Sequence, residues 1–235
     1  MRSLLLVDTE TSSLPEDPGA RLVEIGAVWW SIDLGVVLAT WSELVEGPSN
    51  EAIGINKIPV ESLAYGLTRD QALDALRSRV VRADLVVCHN VAFDSFFLGD
   101  LGKPYLCSMS AFEWPGVDPG ASVLRTAAGL EVPIVKQHRA LTDCLLLADC
   151  FERVHAKEGA EGVRERLRRA LRPRSRCVAQ TTFAQKDITK KAGFRWNSDM
   201  KSWWKDVVDE EIGKLPFQVR RVPPGSAEYV GLAKG

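Results

Sequence analysis

The sequence predicts an α/β protein: a mixed sheet flanked by helices, with a small, basic α+β unit appended. Three observations carry that expectation. Three β-type runs come first, and short apolar runs then alternate with segments of helical period. The charge is divided: residues 1–157 carry 13 Lys/Arg against 21 Asp/Glu and residues 158–235 carry 17 against 10, so the net −1 joins an acidic part to a basic one. Between them lies VRERLRRALRPRSR at 163–176, broken by Pro173 and open to a helix ahead of that proline. The expected organisation is therefore an α/β domain over 1–157, an arginine-rich linker over 158–177, a small basic module over 178–222, and a flexible tail over 223–235 after Pro223-Pro224-Gly225.

The elements are justified in order. Leu4-Leu5-Leu6-Val7 reads as a buried strand that delivers Asp8 and Glu10 to its mouth and ends at the loop Thr11-Ser12-Ser13-Leu14-Pro15. Arg21–Trp30 and Val36–Val45 follow as strands around the turn-like Asp33-Leu34-Gly35, which predicts an antiparallel meander. Gly47–Gly66, interrupted by Pro48, Gly54 and Pro59, reads as irregular. Thr68 with Gln71 forms a capping-box pattern ahead of Leu73, Leu76 and Val80, predicting a helix over Thr68–Val81. Asp84–His89 reads as a short buried strand, and Asn90 opens a helix through Phe93, Phe96 and Phe97 that stops at Gly99. Cys107-Ser108-Met109 reads as a strand or its end, Ser122–Gly129 as a short helix, and Thr142–Val154 as a longer one. The last block predicts a strand over Val178–Phe183, a helix over Lys186–Ala192, and a hairpin of Phe194–Trp196 with Ser202–Lys205. Trp196 and Trp204 are read as filling its small core, with stacking on bases as the alternative. His155 is expected to face solvent.

Composition narrows the function classes. Hydrophobic residues at 46% and charged residues at 26% are those of an ordinary globular chain. No apolar run approaches the ~18–20 residues of a membrane span, and Met1-Arg2-Ser3 does not open a signal peptide, so a cytoplasmic protein is expected. The cysteines (Cys88, Cys107, Cys144, Cys150, Cys177) are odd in number and scattered, without a C-x-x-C pair, and are read as reduced thiols rather than zinc ligands.

The chemistry sits with the acids. Asp8 and Glu10, one residue apart on a strand, share a face and offer hard oxygens suited to Mg²⁺ or Mn²⁺. Asp94 lies early in a helix after a buried strand, and His138 precedes Asp143 by five residues. Five residues on a helix turn the side chains about 140° apart, so His138 is expected on the loop ahead of the helix that carries Asp143. Four converging carboxylates repel one another unless cations neutralise them, and two divalent ions would do so.

These residues resemble a family. D-x-E-T at Asp8–Thr11, N-x-x-x-D at Asn90–Asp94 and H-x-x-x-x-D at His138–Asp143, in that order, are similar to the three motifs of the DnaQ-like (DEDDh) 3′-5′ exonucleases. The resemblance spans about residues 1–155 and takes in Glu24-Ile25-Gly26 and Cys107-Ser108-Met109. It implies an RNase H-like fold with a five-stranded mixed sheet. It also implies that Asp8, Glu10, Asp94 and Asp143 hold two Mg²⁺ or Mn²⁺ ions and that His138 is the general base. Thr11, Leu14 as a wedge, and Asn90 would receive the 3′ nucleotide. The expected activity is stepwise release of nucleoside 5′-monophosphates from single-stranded 3′ ends, DNA favoured. An exoribonuclease of the oligoribonuclease or ribonuclease T kind is the alternative enzyme, and a non-catalytic nucleic-acid-binding adaptor the alternative class. No clamp-binding peptide stands out, which leaves a polymerase or other replication partner open.

The appended block, Lys186–Trp196 followed by Lys201-Ser202-Trp203-Trp204, resembles a K-D-x-x-K-x-x-G-x-x-W…K-x-W module of phage, plasmid and bacterial nucleic-acid proteins. Lys186, Lys190, Lys191, Arg195 and Lys201, together with the arginine run, are expected to meet phosphates in a salt-dependent, sequence-indifferent way.

Overall fold

The computed structural model describes residues 1–134, 138–224 and 226–233, and the chain divides into two compact units, Met1–Leu171 and Arg172–Gly235. The first contains β1 (Ser3–Thr11), β2 (Leu22–Ser31), β3 (Val36–Leu44), α1 (Ile53–Asn56), α2 (Arg69–Val80), β4 (Leu85–Cys88), α3 (Val91–Leu98), β5 (Tyr105–Cys107), α4 (Val123–Gly129) and α5 (Ala140–Ala170). Its sheet runs in the order β3-β2-β1-β4-β5. β1, β2 and β3 pair antiparallel, whereas β4 and β5 are added in parallel. This is the expected mixed sheet with helices on both faces.

The period of two along β1 sorts its side chains between the two layers. Leu4 and Leu6 pack with Val28, Trp30, Leu85 and Val87 under α4 and α5, in a cluster that includes Phe112, Trp114 and Phe151. Leu5 and Val7 pack with Ile25, Ala27, Val86 and Cys88 under α2 and α3. Continuing the alternation assigns Asp8 and Glu10 to the α5 face and Thr9 to the α3 face. The core thus decides which helix each acid meets.

Several elements differ from expectation. Gly47–Gly66 contains α1 and a 3₁₀ turn at Val60–Tyr65. α5 begins at Ala140 and continues to Ala170, through residues 158–170 of the segment read as linker, as two helical stretches joined at a kink at Gly159 (φ 68°, ψ 179°). The helix persists because its arginines meet acids a turn or two away: Arg166 with Glu158 at 2.7 Å, Arg168 with Glu161 and Glu165, and Arg169 with Glu165 at 3.1 Å. Arg164 pairs with Asp33 and Glu161. His155, expected in solvent, is half-buried edge-on to Trp30, with centroids 6.1 Å apart. Gly35 makes room for it, since a Cβ there would lie 2.3 Å from His155 Nδ1.

The second unit holds β6 (Arg174–Ala179), α6 (Lys186–Lys191), β7 (Arg195–Asn197), β8 (Ser202–Val208), β9 (Val219–Arg221) and α7 (Ala227–Ala233), with an antiparallel sheet in the order β7-β8-β6-β9. β6 starts inside the expected linker. The expected loose tail is instead helical over α7, where Leu232 joins Val178, Trp204 and Val222. Cys177, Phe194 and Val207 form the core of the other face. Trp204 is buried as expected, but Trp196 is 49% exposed and is not a core residue. All five cysteines are free thiols. Among the described residues no helix is long and apolar enough to cross a membrane.

Candidate active site

The ends of β1, α3 and α5 converge on a cavity of about 400 Å³. Asp8, Thr9, Glu10, Thr11, Leu14, Asn90, Asp94, His138 and Asp143 all line it, so every residue singled out in the first unit reaches one place. Asp8, Glu10 and Asp143 each offer an oxygen within 4.8 Å of the others. That trio follows from the layering: two acids on the α5 face of β1 meet one in the first turn of α5. Asp94 approaches from the opposite layer. It is 2% exposed, and its Oδ1 accepts a hydrogen bond from Thr9 Oγ1 at 2.8 Å. Thr9, the residue between the two strand acids, therefore orients the fourth one.

The electrostatics are those of a cluster short of positive charge. Burial first, and then the neighbouring Asp94, Asp143, Glu10 and Glu24, push the Asp8 carboxyl well above its usual range. Burial, with Asp143 and Glu24 beside it, raises Glu10 to about 8. Burial raises Asp94 to about 7 against the pull of Thr9. Asp143 is raised by burial too, opposed by backbone hydrogen bonds at Arg139 and His138 and by the His138 ring. Carboxyls this crowded suit hard divalent cations, which stabilise the ionised form that burial disfavours.

His138 stands ahead of α5, exposed, with φ 59°. This is the loop position that its spacing from Asp143 predicts. His89, by contrast, is held by Ser108 Oγ at 3.0 Å and the Ala121 carbonyl at 2.9 Å, and burial lowers its pKa. It is a structural residue of the cavity wall.

The residues that hold this geometry are not among the fixed positions of the three motifs, and two of them belong to the Glu24-Ile25-Gly26 string, to which the sequence alone gives no role. Glu24 lies opposite Glu10 in the β1–β2 register and is 1% exposed. Its carboxylate accepts from Arg139 Nε (2.9 Å), Arg139 Nη2 (2.6 Å), the Ala140 amide (3.0 Å) and Ser42 Oγ (2.9 Å). It thereby clamps the first turn of α5 to β2, next to both His138 and Asp143. Gly26, opposite Asp8, lets that turn approach: a Cβ there would lie 2.3 Å from the Ala140 carbonyl carbon. The Glu24-Ile25-Gly26 string thus has a physical reading, in which an anchor and a gap, two residues apart, serve the same helix.

A second clasp sets the rim. Asn50 Nδ2 donates to Asn56 Oδ1 and to the Ile58 carbonyl, both at 2.8 Å, and Asn56 Nδ2 donates to the Thr11 carbonyl at 3.3 Å. Two buried amides thus tie α1 to the end of β1. Ile55 on α1 and Leu14 stand exposed at the mouth, while Phe93, Val123 and Leu124 supply apolar wall.

Among solved structures, the chain is similar to exonuclease X in complex with 5′-overhanging duplex DNA. The match has 25% identity and a TM-score of 0.55, covering 69% of this chain and 98% of that one. It is also similar to the nuclease domain of 3′hExo, a DEDDh family member bound to rAMP (14%, TM-score 0.58, 68% and 94%). A third match is the zinc-bound form of the E. coli exonuclease I complex with single-stranded DNA (12%, TM-score 0.58, 87% and 51%). Residues 177–222 match a family model described as a domain of unknown function (DUF8626). A sequence comparison with curated proteins finds no match. The first unit thus has the RNase H-like fold of the DEDDh-type 3′-exonucleases it is similar to, and the similarity supports a hydrolytic exonuclease.

Proposed function

We propose that the chain removes nucleoside 5′-monophosphates from the 3′ ends of single-stranded nucleic acid, with DNA the favoured substrate. Asp8, Glu10, Asp143 and Asp94 hold two Mg²⁺ or Mn²⁺ ions, and His138 acts as the general base. The observation that carries this reading is the gathering of four acids from three elements around one cavity, with an exposed imidazole at its edge. Bound there, divalent cations supply charge neutralisation and polarise the scissile phosphodiester. The chain's own residues do the rest. Glu24 and Arg139 fix the turn that presents His138 and Asp143. His138, reachable from solvent, accepts the proton of the attacking water through its ring. Leu14 and Ile55 bear on the terminal base, and the Asn90 end of α3 sits beside the sugar-phosphate. The complexes of similar structures hold DNA in one case and rAMP in another, so the assay carries both substrates.

Labelled single-stranded DNA and RNA incubated with Mg²⁺ test the reading, beside EDTA, Asp8→Ala and His138→Ala. A ladder shortening from the 3′ end is expected, faster on DNA. EDTA and Asp8→Ala should abolish it, and His138→Ala should slow it about 10²–10⁴-fold. Intact label in every lane would favour the adaptor.

A further inference from the structure

The arginines and lysines of the basic half are used in opposite ways. Arg164, Arg166, Arg168 and Arg169 of α5 are ion-paired, and in the second unit Arg172 pairs with Glu211, Arg176 with Asp206, Arg220 with Glu228 and Arg221 with Asp209. Arg176 is further sandwiched between Trp204 and Tyr229, its guanidinium 4.5 and 4.0 Å from the ring centres. Six of the seven arginines in the run therefore already have acidic partners within the chain, Arg174 being the exception. Lys190 and Lys191 on α6 and Lys201 in the β7–β8 turn are exposed and form no ion pair among the described residues. With Lys186 they outnumber the acids of the same helix and turn, Asp187 and Asp199, by four to two, which leaves a net positive local field.

Trp196 lies on the same side of the sheet as α6. It pairs across β7–β8 with Trp203, rings 5.5 Å apart and tilted by 59°. Trp203 in turn packs on the cluster of Cys177, Phe194 and Val207, together with Ala192 at the end of α6. β7 is an edge strand. Trp196 is therefore an indole braced from behind by a second indole, with half its surface open, at the edge of a sheet whose β7–β8 turn carries Lys201 and whose neighbouring α6 carries Lys190 and Lys191. Arg195, its neighbour, points to the other face, its guanidinium 4.9 Å from the Trp204 ring centre, and is not part of this surface.

We infer that this edge of the second unit is a binding site for single-stranded nucleic acid, separate from the cleavage site, in which Trp196 stacks on a base and Lys190, Lys191 and Lys201 meet the flanking phosphates. A braced, half-exposed indole offers the sequence-tolerant stacking that single-strand binders use, and lysine ammonium groups suit phosphate as point charges. Charge complementarity selects a polyanion over an apolar partner. The inference does not depend on the metal-site reading.

The test uses the full chain carrying Asp8→Ala, so that substrate survives, and a fluorescein-labelled oligothymidylate read by anisotropy across a salt series. Trp196→Ala is expected to weaken binding about 5- to 100-fold with little change in salt dependence, and Trp196→Phe to retain most of the affinity. Lys190→Ala/Lys191→Ala, on exposed helix positions, is expected to lower the slope of log K against log salt by about 1.4. Wild-type affinity in Trp196→Ala, or an unchanged slope in the double lysine variant, would overturn the inference. Trp196→Ala placed in the chain with Asp8 intact separates the two readings. Loss of oligonucleotide affinity with an unchanged rate on a trinucleotide supports the site, whereas a chain with Asp8 intact that cleaves nothing overturns only the exonuclease reading.

Discussion

A methyl group at position 26 would sit 2.3 Å from the carbonyl carbon of Ala140 and 2.4 Å from the Leu141 nitrogen, both backbone atoms with no freedom to swing aside. Gly26→Ala must therefore push α5 off the sheet and carry Asp143 away from Asp8 and Glu10. It is expected to cost more than about 2 kcal/mol, in the range of overpacked core sites, and to depress the cleavage rate. The urea midpoint measured beside the DNA ladder checks both, and a stable, active variant would show that α5 can yield. The gathering of Asp8, Glu10, Asp94, His138 and Asp143 at one cavity was legible in the sequence because acids and an imidazole stand out by type and spacing. Thr9, Glu24 and Arg139 were not, because their value comes from register: Glu24 matters only once β2 is paired so that it faces Glu10 and the start of α5. The side chain of Trp196 escaped for a related reason. Composition ranks tryptophan as core, and only the position of β7 at the sheet edge leaves this one uncovered.

At the level of elements, the alternation of apolar residues along β1 and β2, and the Thr68–Gln71 capping box, read directly into structure; the box is formed with both of its reciprocal hydrogen bonds. α5 was harder. Its 31 residues pass through Gly159 and a dense run of charge, two features that argue for a linker when weighed locally. What sustains the helix is a ladder of Glu158, Glu161 and Glu165 against the arginines that follow, together with Val163 and Leu167 buried in the main core. Because those arginines already have partners, Arg168→Ala/Arg169→Ala is expected to leave oligonucleotide affinity within about twofold of the parent, in contrast to the lysine pair of α6. Anisotropy at low salt decides the matter, and a drop comparable to that of Lys190→Ala/Lys191→Ala would mean the ion pairs open for phosphate. α7 was missed because Pro223-Pro224-Gly225 reads as an ending, yet Leu232 beyond it completes a core that β6, β8 and β9 leave open on one side.

For the whole molecule, the raised carboxyls link fold, metal and pH. Without cations Glu10 titrates near 8 and Asp94 near 7, whereas the same groups in an unfolded chain titrate near 4.5 and 3.8. Between those values the folded chain binds more protons than the unfolded one, so its stability falls as pH rises from about 4.5 through 8. Divalent cations favour the ionised carboxyls, so their stabilisation grows over the same window. Thermal melts are therefore expected to show Tm in EDTA declining from pH 6 to above 8, with the increment from Mn²⁺ widening in step and disappearing in Asp8→Ala. An increment independent of pH would detach the acids from metal binding.

The place of β1 in the middle of its sheet carries a last consequence. Hydrogen-bonded to β2 along one edge and to β4 along the other, the strand bearing Asp8 and Glu10 is an anvil. On the proposed reading, any adjustment to an entering nucleotide is expected in His138 and Leu14, which lie outside the sheet, while the amides beneath the acids are expected to exchange their hydrogens last.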